Sequence, residues 1–97
     1  MKEIKIGMNA KAQTRVTKEN LAVTVGSGSL EVFATPMMTA LMEKAAAAAV
    51  ADCMENDETT VGTMLEISHV SATPEGMNVT ACAEVTAVNG REITFSV

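Results

Sequence analysis

At 97 residues the chain has room for one domain, which buries roughly two thirds of the surface its unfolded form exposes. The net charge of −5 excludes a broad nucleic-acid interface, because affinity for phosphate backbones comes from Lys and Arg. With two Phe, no Tyr and no Trp, the core must be built from Ala, Val, Ile, Leu and Met, side chains that let helix and sheet approach closely.

The opening Met1-Lys2-Glu3-Ile4-Lys5-Ile6 is charged and lacks the apolar run of a signal peptide, so the expected compartment is the cytoplasm. A strand is predicted near 14–25, with an earlier one near 2–7. Gly26-Ser27-Gly28-Ser29 reads as a turn. Thr35-Pro36 marks a helix start. Thr supplies an N-cap hydroxyl, and Pro is favoured at the first helical position, where its missing NH costs nothing. From Pro36 to about Glu55 nearly every residue is a helix former. Between Met37 and Ala51 only Glu43 and Lys44 carry charge, the pattern of a helix buried on most sides. Those two charges and Asp52 also argue against a membrane span over 36–54.

Downstream the period changes from helical to alternating. Val61, Thr63, Leu65, Ile67 and His69 share one face of a predicted strand. Thr73-Pro74-Glu75-Gly76 reads as a turn. Met77, Val79, Ala81, Ala83 and Val85 alternate with polar neighbours, Asn89-Gly90 signals a hairpin, and Ile93, Phe95 and Val97 are expected inward. A strand, one long apolar helix and three sequential strands predict an α+β domain over residues 1–97, an antiparallel sheet wrapped around a central helix.

Taken singly, the polar residues have plain structural readings. Thr35 is an N-cap, Glu43 a solvated helix residue, His69 a hydrogen-bonded strand histidine, and Gly62 a bulge or close-approach site. Glu66 and Glu84 read as solvated strand residues, and Met37, Met38 and Met42 as core or pocket lining. Cys53 and Cys82 lack metal-ligand spacing. They read as two buried free thiols, with a disulfide between them as the alternative. One His without clustered Cys predicts no metal site.

Two segments at a characteristic distance carry a resemblance. Val32-Phe33-Ala34-Thr35-Pro36-Met37-Met38 with Leu41-Met42-Glu43, and Thr59-Thr60-Val61-Gly62-Thr63 with Ser68-His69 through Met77, are similar to the fluoroacetyl-CoA thioesterase-like branch of hotdog-fold proteins. The resemblance covers about residue 14 to the end. It implies a hotdog fold, a homodimer or higher oligomer with its site near the interface, and hydrolysis of an acyl-CoA thioester. Coenzyme A then enters as part of the substrate, with no separate cofactor. The resemblance assigns catalysis to Thr35, Glu43 and His69, and substrate contact to Gly62, Thr63, Phe33 and Pro36. Related chains usually continue with another strand after the position of Val97, often bearing Gly and a basic or His residue.

Such a trio suits thioester hydrolysis, which needs an attacking oxygen, a proton acceptor and donors for the oxyanion. On an apolar helix Glu43 is expected to be desolvated, which raises a carboxyl pKa and makes a better base. It can activate water or attack directly, forming an anhydride. His69 is expected to orient or protonate, with the Glu43 carboxylate or the leaving thiolate as partner. Thr35 is expected to bond the carboxylate or the substrate, and free NH groups at the helix start to hold a carbonyl oxygen. The competing reading is a hotdog dimer that holds CoA or an acyl ligand without turnover. Enoyl-thioester hydration is a third, but it usually relies on a His–Asp pair, and none is evident around His69.

Overall fold

The computed structural model describes residues 1–97. Strand β1 (Asn9–Arg15) pairs antiparallel with β2 (Asn78–Asn89), which pairs antiparallel with β3 (Glu92–Ser96), giving a three-stranded sheet in the order β1-β2-β3. A four-residue helix α1 (Ala22–Val25) precedes the long helix α2 (Thr35–Val50), which lies across one face of the sheet. Alanines make this approach close: Ala45 of α2 meets Ala12, Ala81 and Ala83 of the sheet, with Leu41 beside them.

The period-two reading of β2 holds. Ala81, Ala83 and Val85 are buried while Thr80, Cys82 and Glu84 face outward. That alternation corrects the expectation of two buried thiols. Cys53 is buried, Cys82 is exposed on the outer face, and both are free. Ile93 and Phe95 are half-buried over α2 and its exit, but Val97 is exposed rather than inward.

Upstream of α2 the elements are shifted from the sequence reading. No strand forms over 2–7. Instead Ile4 packs with Val50, Cys53 and Val85, and the Lys2 NH donates to the Cys53 carbonyl at 2.8 Å. The strand expected near 14–25 lies at 9–15, and the chain then coils through a 3-10 turn (Lys18–Asn20) into α1. Asn20 causes the break. Its Oδ1 accepts from the Thr17 NH at 2.8 Å and its Nδ2 donates to the Arg15 carbonyl at 3.0 Å, local bonds that compete with a ladder. Gly26, at φ 92°, closes α1 in the left-handed region.

Helix α2 ends at Val50, short of Glu55, and tightens into a 3-10 turn (Ala51–Cys53) that tucks Cys53 under Ile4. Only one of its faces is covered. Leu41, Ala45 and Val50 are buried, whereas Glu43, Lys44, Ala47 and Ala48 are exposed, because three strands reach one side of the helix alone.

The segment read as a strand over 61–69 is extended but unpaired. Residues 59–72 make no backbone-to-backbone hydrogen bond, and Val61, Met64 and Val70 are 79%, 81% and 91% exposed. Its alternation is genuine, yet a strand needs a neighbouring edge, and β3 does not reach it. The Cα radius of gyration, 14.8 Å, exceeds the value of about 13 Å for a compact chain of this length.

Candidate active site

The start of α2 is held in place by backbone stitching. The Phe33 NH donates to the Thr73 carbonyl at 2.8 Å and the Ala34 NH to the Asn20 carbonyl at 2.9 Å. Phe33, 2% exposed, packs with Val16 and Leu21. Phe33 is thus part of the core at the helix start, and its neighbours on the chain carry the polar chemistry. The Phe33–Thr73 bond brings the residue two positions after Phe33 to the one four positions before Thr73. Thr35 Oγ1 and His69 Nδ1 accordingly lie 2.7 Å apart.

This contact changes the role expected of the Thr35 hydroxyl. Ala34 occupies the N-cap position and no side chain caps the helix, so the hydroxyl is spent on the imidazole. Free donors at the helix start are fewer than expected. The Met37 and Met38 NH groups both donate to the Ala34 carbonyl at 3.0 Å, and Pro36 has no NH. The Thr35 NH is left without a backbone partner.

Glu43 stands eight residues further along α2, a rise of about 12 Å from Thr35. Within one chain it forms no hydrogen bond or ion pair with His69, whose imidazole has Thr35 as its partner. The side chain is exposed, and the desolvation expected from an apolar helix is not supplied by this chain alone. Glu43 does have a specific neighbour: a Cβ added at Gly62 would collide with its Oε2. Gly62 is therefore a close-approach glycine facing the carboxylate.

Glu43, Gly62 and Thr63 line a groove of about 550 Å³ between residues 60–68 and β3, floored by Met42, Ala46 and Phe95. The seven candidate residues thus divide into groups. Thr35 and His69 form one contact, with Pro36 exposed beside them. Glu43, Gly62 and Thr63 form a second cluster, and Phe33 belongs to the core. Sequence reasoning missed the role of Phe95 in the groove floor, and of Glu66 and Glu92 in its walls. The scarcity of aromatics was the available signal for Phe95. Nowhere do three His, Cys, Asp or Glu side chains converge as metal ligands. No helix is long and apolar enough to cross a membrane.

Two substitutions test the two clusters. Thr35→Val removes the hydroxyl while keeping the shape. Losing its bond to His69 is expected to slow acyl-CoA turnover about five- to tenfold, with unfolding free energy changed by no more than about 1 kcal/mol. Gly62→Ala places a methyl where Glu43 Oε2 lies. Because the far end of a flexible exposed side chain can move away, stability should stay within about 0.5 kcal/mol. The displaced carboxylate should cost turnover by up to about a hundredfold. Steady-state kinetics beside thermal melts read both.

One long helix laid along an antiparallel sheet, with its polar residues at the helix start and two turns on, defines a hotdog-fold protein. Residues 16–97 match the family model described as FlK, fluoroacetyl-CoA-specific thioesterase, and the chain belongs to that family. The fluoroacetyl-CoA thioesterase of Streptantibioticus cattleyicolor is 43% identical over 67 residues, which are 69% of this chain and 48% of that protein. The matched region thus spans about half the length of that relative.

Among solved structures, a phenylalanine-to-alanine mutant of FlK in complex with fluoroacetate and CoA is 31% identical with a TM-score of 0.88, covering 95% of this chain and 78% of that one. A threonine-to-serine mutant of FlK in complex with acetyl-CoA is similar at 31% identity and TM-score 0.88, covering 95% and 74%. A Thermus thermophilus thioesterase superfamily member is 28% identical with a TM-score of 0.86, covering 96% and 69%.

Proposed function

We propose that this protein hydrolyses a small acyl-CoA thioester, with Glu43 as base or nucleophile and with His69 and Thr35 in support. The observation that carries the reading is the 2.7 Å contact of the Thr35 hydroxyl with the only imidazole in the chain, at the head of the helix that carries Glu43. Membership of a family described by its thioesterase activity supports the reaction type.

In the base route Glu43 takes a proton from water as the oxygen attacks the thioester carbonyl carbon. The oxyanion is held by donors such as the Thr35 NH, and the C–S bond then breaks. The thiolate leaves with a proton from His69 or Glu43, giving a carboxylic acid and free CoA. In the nucleophile route Glu43 attacks first, CoA leaves, and water hydrolyses the anhydride.

The rise of about 12 Å between Thr35 and Glu43 supports a homodimer in which the Thr35–His69 half of one protomer faces the Glu43–Gly62 half of its partner. Two free thiols suit the reducing cytoplasm, where we place the protein. The acyl group is small; fluoroacetyl specificity belongs to the relative and is not carried over.

The test is a thioester-cleavage assay over fluoroacetyl-, acetyl-, longer straight-chain and aromatic acyl-CoAs, followed by mixing two inactive variants. If the halves are crossed, Glu43→Ala mixed with His69→Ala regenerates one intact site per heterodimer, about a quarter of wild-type activity on random exchange. No recovery on proven subunit exchange assigns all three residues to one protomer. CoA binding without turnover of any thioester overturns the hydrolase. It favours instead the non-catalytic CoA- or acyl-binding dimer, a reading to which the exposure of Glu43 lends weight.

A further inference from the structure

Resting on the proposed thioesterase site, we infer that Thr39 is a specificity-determining residue of that site. Its hydroxyl oxygen favours acyl groups that carry a hydroxyl or amino donor on the carbon next to the carbonyl or on the one after it.

Position is the first argument. Thr35, Thr39 and Glu43 follow one another at intervals of four residues, so they share one side of α2 with a rise of about 6 Å between neighbours. Thr39 lies midway along the helix between the hydroxyl that meets His69 and the carboxylate that meets Gly62. The midpoint is the same whichever protomer supplies each half. If Thr35 of one protomer faces Glu43 of its partner, two-fold symmetry requires the reverse pairing as well, and position 39 then lies between the two pairs. In either arrangement, a thioester carbonyl set between the Thr35–His69 half and the Glu43 half has Thr39 within a helical turn of its acyl chain.

Hydrogen-bond polarity sets the preference. The Thr39 hydroxyl spends its one proton on the Thr35 carbonyl, with Oγ1 and the carbonyl oxygen 3.0 Å apart. The lone pairs of Oγ1 remain, and no hydrogen bond within the chain uses them. On a half-buried residue this oxygen is an acceptor that takes its donor from outside the chain. An acyl hydroxyl or amino group supplies that donor. A fluorine or a methyl does not, since neither carries a polar proton. Helix stability does not explain the residue. Thr39 is the only uncharged polar side chain between Pro36 and Val50, and Ala, which fills much of α2, is the better helix former.

The test compares hydroxyacetyl-CoA with its isostere propionyl-CoA, and 3-hydroxypropionyl-CoA with butyryl-CoA, in wild type, Thr39→Val and Thr39→Ser. In at least one pair, wild type is expected to prefer the hydroxyl-bearing thioester by about tenfold or more in kcat/KM. Thr39→Val keeps the shape and removes the acceptor, so the preference should collapse to about unity, while Thr39→Ser should retain it. A change in folding lowers both members of a pair alike and leaves their ratio unmoved, which separates recognition from stability. Equal rates for both members of both pairs in wild type overturn the inference. So does a preference that survives in Thr39→Val. Cleavage of no thioester at all strikes the hydrolase reading, and the same pairs are then compared as uncleavable ketone analogues, with a methylene between sulfur and carbonyl, by isothermal titration calorimetry. Tighter binding of the hydroxyl-bearing analogue that is lost in Thr39→Val upholds the role of Thr39 without turnover, and equal binding overturns it.

Discussion

Glu43→Gln is expected to lower acyl-CoA turnover by about a hundred- to ten-thousand-fold, the range for removing a positioned proton acceptor. The exchange keeps the shape of the side chain, and Glu43 is exposed, so the unfolding free energy should move by no more than about 0.5 kcal/mol. A matched melting curve therefore separates chemistry from folding. Turnover unchanged in this variant would remove Glu43 from the reaction. Single-turnover cleavage in ¹⁸O-water then divides the two routes: label in the Glu43 carboxylate requires the anhydride, and label confined to product requires water attack.

For stability the largest effect is expected at Phe33. The ring is 2% exposed and is the largest fully buried side chain of the molecule. Phe33→Ala should cost about 3–5 kcal/mol, a large share of the roughly 5–15 kcal/mol that holds a typical domain together. Chemical denaturation measures this directly. The loss has a second consequence, because Phe33 lies one residue before the Ala34 cap and two before Thr35. Loosening the ring frees the helix start that sets Thr35 against His69. A fall in turnover in this variant at low temperature should track unfolding rather than a change in KM, contrary to the behaviour of a substrate-contact residue.

The parts of the fold legible in the sequence are those whose neighbours are close along the chain or dictated by a clear period. The hairpin of β2 and β3 follows from strict alternation and Asn89-Gly90, and the start of α2 from Thr35-Pro36. What the sequence hid depends on distant partners. The Asn20 side chain bonds that end β1, and the burial of Cys53 that ends α2 early, involve residues with no local signature. The alternation of 61–69 signals strand character and nothing about whether an edge is there to receive it. The candidate site was legible as residue types at an interval. Its division was not: an interval of eight helical positions keeps Thr35 and Glu43 on one helix but separates them by two turns. The Thr35–His69 contact was hidden as well, since the Phe33–Thr73 bond that delivers the imidazole to Thr35 is a long-range backbone contact.

The outward placement of Cys82 sets a condition on measurement. Cys82 sits across from Lys11 on the sheet surface turned away from α2, open to solvent, while Cys53 is covered. Disulfide dyes commonly used to count liberated coenzyme will be consumed by that sulfhydryl as well, adding a stoichiometric background of about one equivalent per polypeptide. At high enzyme and slow turnover this baseline can imitate a burst. Exchanging Cys82 for serine, or following ultraviolet absorbance of the thioester bond itself, removes the artefact without disturbing the helix-bearing face.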